Sequence, residues 1–235
     1  MTKFFRNLFK LILIGTPWYI IANYIKNFIP NYKTRNKSKI IESSVYLNFK
    51  SLDSRNKWFC NNLYFLSQSL KGTTVLKNIL EIGSYEGRSA IFFLKFFQTS
   101  SITCVDTWHG SDEHNKYNFE EIERNFDHNV RLFNGNRLNK IKTTSDNFFK
   151  KNQESFDLIF LDGDHSHDQV IKDANNAWNK LNLNGYLIFD DYLWWFYNDL
   201  KTNPAFAVNK FLIQKKNQIE ICYIWQQVII KKIKF

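Results

Sequence analysis

Four short apolar runs of this chain carry an acid at or near their end. They are Leu80-Glu81-Ile82-Gly83, Thr103-Cys104-Val105-Asp106, Phe160-Leu161-Asp162 and Ile188-Phe189-Asp190-Asp191. If the runs are neighbouring parallel strands, their carboxylates meet on one rim, where an open sheet binds its ligands. One carboxylate there can hold a diol or a cation. Three crowded together repel one another unless they are protonated or bridged by a positive ion. Asp162, Asp190 and Asp191 form such a crowd. Oxygen-only donors of this kind suit a hard ion such as Mg²⁺; the alternative is that one or two of them cap helices or bind loop amides.

The first run leads into Gly83-Ser84-Tyr85-Glu86-Gly87-Arg88-Ser89, where two glycines permit a tight turn and Ser89 can open a helix. The three-glycine spacing of dinucleotide binders is missing, and Glu86 would face a pyrophosphate, which disfavours a nicotinamide cofactor. A cationic sulfonium tolerates the surrounding acids. Asp106, about 20 residues further on, stands where a ribose diol is held by an acidic side chain. Immediately after the fourth-strand acid come Asp164 and His165, the two candidates for proton transfer. His167 and His109 are more remote. The aromatic run from Tyr192 to Tyr197 begins at the same rim and either walls an acceptor pocket or packs beneath its loop. The insert from His109 to Tyr117 is placed to act as a lid.

These residues need a scaffold, and the pattern supplies one. Apolar runs alternate with amphipathic stretches of helix length, which predicts a doubly wound α/β sheet. Strands are expected at 78–82, 102–106, 140–143, 156–162 and 186–190, and helices at 89–97, 119–132, 145–151, 169–181 and 205–214. Residues 218–224 and 227–232 read as an antiparallel hairpin. The expected fold is therefore a Rossmann-like sheet finished by an antiparallel strand, preceded by an N-terminal helical segment. Residues 1–40 form a basic, apolar extension and residues 41–235 the main domain.

The net charge of +10 is distributed unevenly. Residues 1–40 hold eight Lys or Arg and no acid, and 210–235 hold six Lys against Glu220, whereas 41–209 carry 18 basic and 21 acidic residues. The chemistry-bearing part is thus slightly acidic, and no nucleic-acid partner is expected. Three widely spaced cysteines show neither metal spacing nor a disulfide framework, which points to a reducing, cytoplasmic compartment. The apolar stretch within 1–31 is interrupted by Lys10, Gly15-Thr16-Pro17 and Lys26, so it falls short of the ~20 apolar residues of a spanning helix. It either lies peripherally in a membrane interface or packs on the domain as short helices. Residues 32–39, polar and basic, read as a linker.

The segments Glu81 to Ser89 and Ile102 to Trp108 together resemble the first two motifs of class I S-adenosylmethionine-dependent methyltransferases. They are closest to the branch that includes macrolide and aminocoumarin sugar O-methyltransferases. The likeness runs from about Val75 to Ile230. It implies a seven-stranded sheet and cofactor contacts at Glu81, Gly83, Ser84, Tyr85, Gly87, Asp106 and Thr107, with the adenine edge near Ser145 and Asp146. It further implies Asp162, Asp190 and Asp191 as Mg²⁺ ligands and methyl transfer to a hydroxyl of a small-molecule acceptor, with a sugar or glycan as the expected class. The competing expectation is a catalytically silent, membrane-tethered binding domain. Oligomeric state is not legible.

Overall fold

The computed structural model describes residues 2–52, 59–73, 76–110, 117–131 and 137–234, with Arg35 described by its backbone alone. Seven strands form one sheet: β1 (Asn78–Ile82), β2 (Ser101–Asp106), β3 (Leu138–Lys142), β4 (Phe156–Leu161), β5 (Leu181–Phe189), β6 (Ile219–Ile224) and β7 (Val228–Lys232). Their order is β3-β2-β1-β4-β5-β7-β6. β1 to β5 pair in parallel, and β7 runs antiparallel to both β5 and β6. The chain leaves β1 in one direction toward β2 and β3, then returns to build β4 and β5 on the other side. The switch point therefore lies between β1 and β4.

The central strands are nearly continuous apolar runs because both faces are covered. One core cluster joins Leu80, Ile82, Phe156 and Phe189 to Trp178 and Phe211; the other joins Ile79, Cys104 and Phe160 to Phe92, Phe93 and Phe126. The covering helices are α3 (Leu63–Ser69), α4 (Arg88–Phe96), α5 (Phe119–Val130), α6 (Ser145–Lys151), α7 (His167–Lys180) and α8 (Pro204–Gln214). Side-chain caps fix two of their starts: Asn118 accepts from the Glu121 amide and Thr144 from that of Asn147. None of the three cysteines is in a disulfide.

The N-terminal segment is a pair of helices, α1 (Thr2–Leu13) and α2 (Trp18–Val45), turned at Gly15 with φ +72°. Residues 32–39, expected as a linker, lie inside α2, which corrects that reading. The stretch is polar but holds no glycine or proline that would break a helix, and Lys, Arg, Asn and Ser are all compatible with one. α2 crosses the open edge of the sheet. Asn27 donates to the Ile224 carbonyl (3.0 Å), and Tyr223 donates its hydroxyl to Asn31 Oδ1 (2.7 Å). An edge strand covered by a helix is shielded from pairing with other chains. Phe4, Tyr24, Phe28 and Trp225 stack at centroid distances from 4.1 to 6.2 Å, locking the helix pair onto the β6–β7 turn. Each such pair adds about 0.5–1.5 kcal/mol beyond its area.

Candidate active site

At the carboxyl ends of the strands lies a cavity of about 660 Å³. Its wall includes Gly83, Ser84, Tyr85, Asp106, Thr107, Ser145 and Asp146 from the expected cofactor set. Asp162, Asp164, His165, Asp190 and Asp191 from the expected metal and proton-transfer sets line it too. Two of the expected residues are placed elsewhere. Period-two alternation turns Glu81 to the α4 side of the sheet, opposite Cys104 and Phe160, so it is buried beneath the turn and is not part of the cavity wall. Gly87 is also off the wall. It precedes α4 at φ +82°, and a Cβ there would meet Phe126 and Val130 at 3.1 Å.

Asp106 organises the half of the cavity at the β1–α4 turn. Its Oδ2 accepts from the Tyr85 amide (2.9 Å) and its Oδ1 from the Trp108 amide (2.7 Å). The Trp108 indole donates to the Tyr85 carbonyl (2.9 Å), closing the ring. Tyr85 and Trp108 both have left-handed backbones, φ +46° and +48°, as does Asp191 at +49°. Side chains rarely adopt this conformation without over-determining contacts, and all three residues line the cavity. The Ser84 hydroxyl is buried without a hydrogen-bond partner, an orphan polar atom on the same wall. A polar ligand at this turn would satisfy it.

Glu86 borders the cavity, but its carboxylate is engaged within the protein. It is buried, and its carboxylate accepts from the Ser51 hydroxyl, the Leu52 amide and the Asn125 amide group at 2.6–2.8 Å. Asn129 completes the join by bridging the Lys50 and Glu86 backbones. The strap that follows α2 is thereby fastened to the β1–α4 turn, a role that sequence reading missed. Gln169 and Asp173 were also missed. One α-helical turn apart on α7, they reach the cavity and hydrogen-bond one another (3.0 Å), and Gln169 also donates to Ser145 (3.1 Å). Only their spacing of four could have flagged them.

In the acidic half, one ligand atom from each of Asp162, His165 and Asp191 lies within 4.8 Å of the others. His165 Nε2 is 3.4 Å from Asp162 Oδ1 and 3.6 Å from Asp191 Oδ2. Asp190 sits deeper, its Oδ1 accepting from the Asp191 amide (2.9 Å). Burial, reinforced by Asp162 and Asp191, holds its carboxyl well above the usual range. Asp164 is exposed and accepts from the Ser166 amide (2.7 Å). Two carboxylates and an imidazole on one wall fit a divalent cation. The aromatic run divides its duties. Tyr192 is buried and donates to Asn209, Trp194 and Phe196 stack at 6.4 Å and line the cavity, and Trp195 turns outward to Asn7. His167 pairs with Asp168 off the cavity wall, and His109 is exposed. Of the expected lid, Tyr117 lines the cavity, while 111–116 lie outside the described residues.

The buried acids make a pH prediction. Burial pushes the Glu81 carboxyl up to about 7. Burial likewise raises Asp173 to about 6. An acid with a raised folded pKa contributes stability below its unfolded value near 4.5, and this is lost as pH rises through 7. For Glu81 the loss is roughly 3 kcal/mol. Thermal midpoints of the cofactor-free protein should fall between pH 5 and 8, and Glu81→Gln should remove a large part of that slope. Equal slopes in the two proteins would disprove the assignment.

Residues 80–192 match a family described as a methyltransferase domain. An uncharacterised protein of Acanthamoeba polyphaga mimivirus is 29% identical over 140 residues, 57% of this chain and 58% of that protein. The chain therefore spans less than two thirds of that relative. Among solved structures, the O-methyltransferase NovP superposes at TM-score 0.53 with 16% identity, covering 74% of this chain and 78% of its own. The Podospora anserina methyltransferase PaMTH1, solved with S-adenosylhomocysteine, gives TM-score 0.52 with 17% identity, covering 85% and 96%. The turn at Gly83 and the Asp106 anchor both fall within the segment that is similar to a methyltransferase domain, and the sheet around them has the fold of NovP and PaMTH1.

Proposed function

We propose that the protein transfers the methyl group of S-adenosylmethionine to a hydroxyl oxygen of a small acceptor of sugar or glycan type. The observation that carries this reading is the union of two half-sites in one cavity: the Asp106-anchored turn and the Asp162–His165–Asp191 cluster. The acceptor oxygen forms a bond to the methyl carbon as the carbon–sulfur bond breaks, and the hydroxyl proton must leave to a base. Asp164 is this chain's proton acceptor on the wall beside that cluster, and His165 takes that part where no cation occupies the cluster. His165 is held between two carboxylates, 3.4 Å from Asp162 Oδ1 and 3.6 Å from Asp191 Oδ2. Asp162, His165 and Asp191, with Asp190 behind them, would hold a divalent cation, which would lower the pKa of the acceptor hydroxyl. The stacked pair Trp194 and Phe196 offers a flat apolar wall suited to the face of a sugar ring. NovP and PaMTH1 support the fold rather than the acceptor.

The test is transfer of labelled methyl to a panel of glycosides and nucleotide sugars, with Mg²⁺ or with chelator. A labelled methyl ether is expected, and Asp191→Asn should lower turnover by about two orders of magnitude. Label appearing only on amines, or binding of S-adenosylhomocysteine with no transfer to any hydroxyl, would overturn the proposal.

A further inference from the structure

The outward faces of α1 and α2 are apolar although nothing in the fold covers them. On α1, Phe5, Phe9, Ile12 and Leu13 are exposed at spacings of three and four, opposite the inward residues Asn7 and Leu11. On α2, exposed Trp18, Ala22, Ile25, Ile29 and Tyr32 repeat at four, three, four and three, opposite Ile20, Tyr24 and Asn27. Each set forms one stripe along its helix. Both helices press their inner faces on the same Trp225 region, so both stripes face away from the domain. Trp18 is 72% and Tyr32 79% exposed, the residue types that settle at a membrane–water boundary.

Charge selects the partner. Lys3 and Arg6 on α1 and Lys26, Lys33, Lys37 and Lys39 on α2 are exposed, and residues 1–40 contain no acid. A second copy docking face to face through this surface would set cations against cations. An anionic lipid surface satisfies both features, accepting the apolar stripes at the acyl boundary and the cations at the headgroups. No described helix is long and apolar enough to cross a membrane. We propose that α1 and α2 dock this protein peripherally on anionic bilayers. The docking element abuts the cavity wall, because Asn7 accepts from the Trp195 indole (3.2 Å) and Lys10 lies over that ring (4.9 Å), between cavity-lining Trp194 and Phe196. A docked protein would thus hold its acceptor pocket close to the membrane surface.

The experiment is co-sedimentation of the full chain with vesicles of phosphatidylcholine alone or mixed with phosphatidylglycerol. It compares the wild type with the double variant Phe9→Glu, Ile25→Glu. Both positions are exposed, so circular dichroism should be unchanged. Binding to the anionic vesicles is expected, weakened about tenfold or more by the pair and by added salt. Three results would overturn the proposal: no preference for anionic vesicles, equal binding by the variant, or a wild-type dimer that the variant converts to monomer. The outcome is independent of methyl transfer, since docking needs no cofactor.

Discussion

Replacing Asp106 by Ala should weaken S-adenosylhomocysteine binding by about two to four orders of magnitude. The carboxylate holds the turn itself, whatever contact it makes with a ribose. It accepts the Tyr85 and Trp108 amides, two of the cavity residues whose backbones are left-handed. A hydrogen bond to a charged group contributes about 1.5–3 kcal/mol, so losing both removes about 3–6 kcal/mol from the arranged turn. At about 1.4 kcal/mol per tenfold, this gives the stated range if the turn must be reassembled on binding. Asp106→Asn keeps one acceptor oxygen and should fall between the two. Calorimetric titration measures both. An Ala variant with wild-type affinity would mean that neither the turn nor the ribose contact depends on this carboxylate.

The strand-end acids were legible because a buried parallel strand is a short apolar run, and an acid closing it stands out. Asp106, Asp162 and the Asp190-Asp191 pair fell at the predicted rim for that reason. Glu81 carried the same signal and went the other way. It lies within its strand rather than after it, and strand alternation, not proximity to the rim, decides where it points. The start of β5 was hidden by Asn184-Gly185, a turn signal in sequence. In the structure, Asn184 adopts φ +65° inside an irregular β4–β5 pairing. Glu86 was read only as an acid that would face a pyrophosphate, because its partners Ser51, Leu52 and Asn125 are 34 to 39 positions away. Such partnerships leave no local trace. α2 was misjudged where composition alone was used. The polar, basic stretch 32–39 read as a linker, yet it continues a helix whose Asn23, Asn27 and Asn31 each bond a carbonyl four residues back, with Asn27 and Asn31 also bonding the edge strand.

Gly83→Ala should be the most damaging single methyl in the molecule, and comparison with Gly87→Ala shows why. Gly83 has φ +87°, and a Cβ there would lie 1.9 Å from the Asp162 carbonyl oxygen and 2.8 Å from the Gly163 amide. Those are backbone atoms at the end of β4, tied by the Asp162 amide bond to Ile82 (2.8 Å), so they cannot rotate aside as a side chain can. Left-handed strain of about 1–2 kcal/mol adds to overpacking of about 1–3 kcal/mol, a loss of about 2–5 kcal/mol. For a chain of this size the thermal midpoint should drop by about 10 °C. Gly87 shares the left-handed backbone, but its added methyl would meet only the Phe126 and Val130 side chains at 3.1 Å, which can yield by a few tenths of an ångström. Its variant should lose about half as much. Gly83→Ala should also bind S-adenosylhomocysteine poorly at temperatures where it remains folded, because relief of the clash separates the cofactor turn from the Asp162 wall. Two variants equal in both midpoint and affinity would show that conformational strain alone, and not the close approach of β1 to β4, requires glycine at position 83.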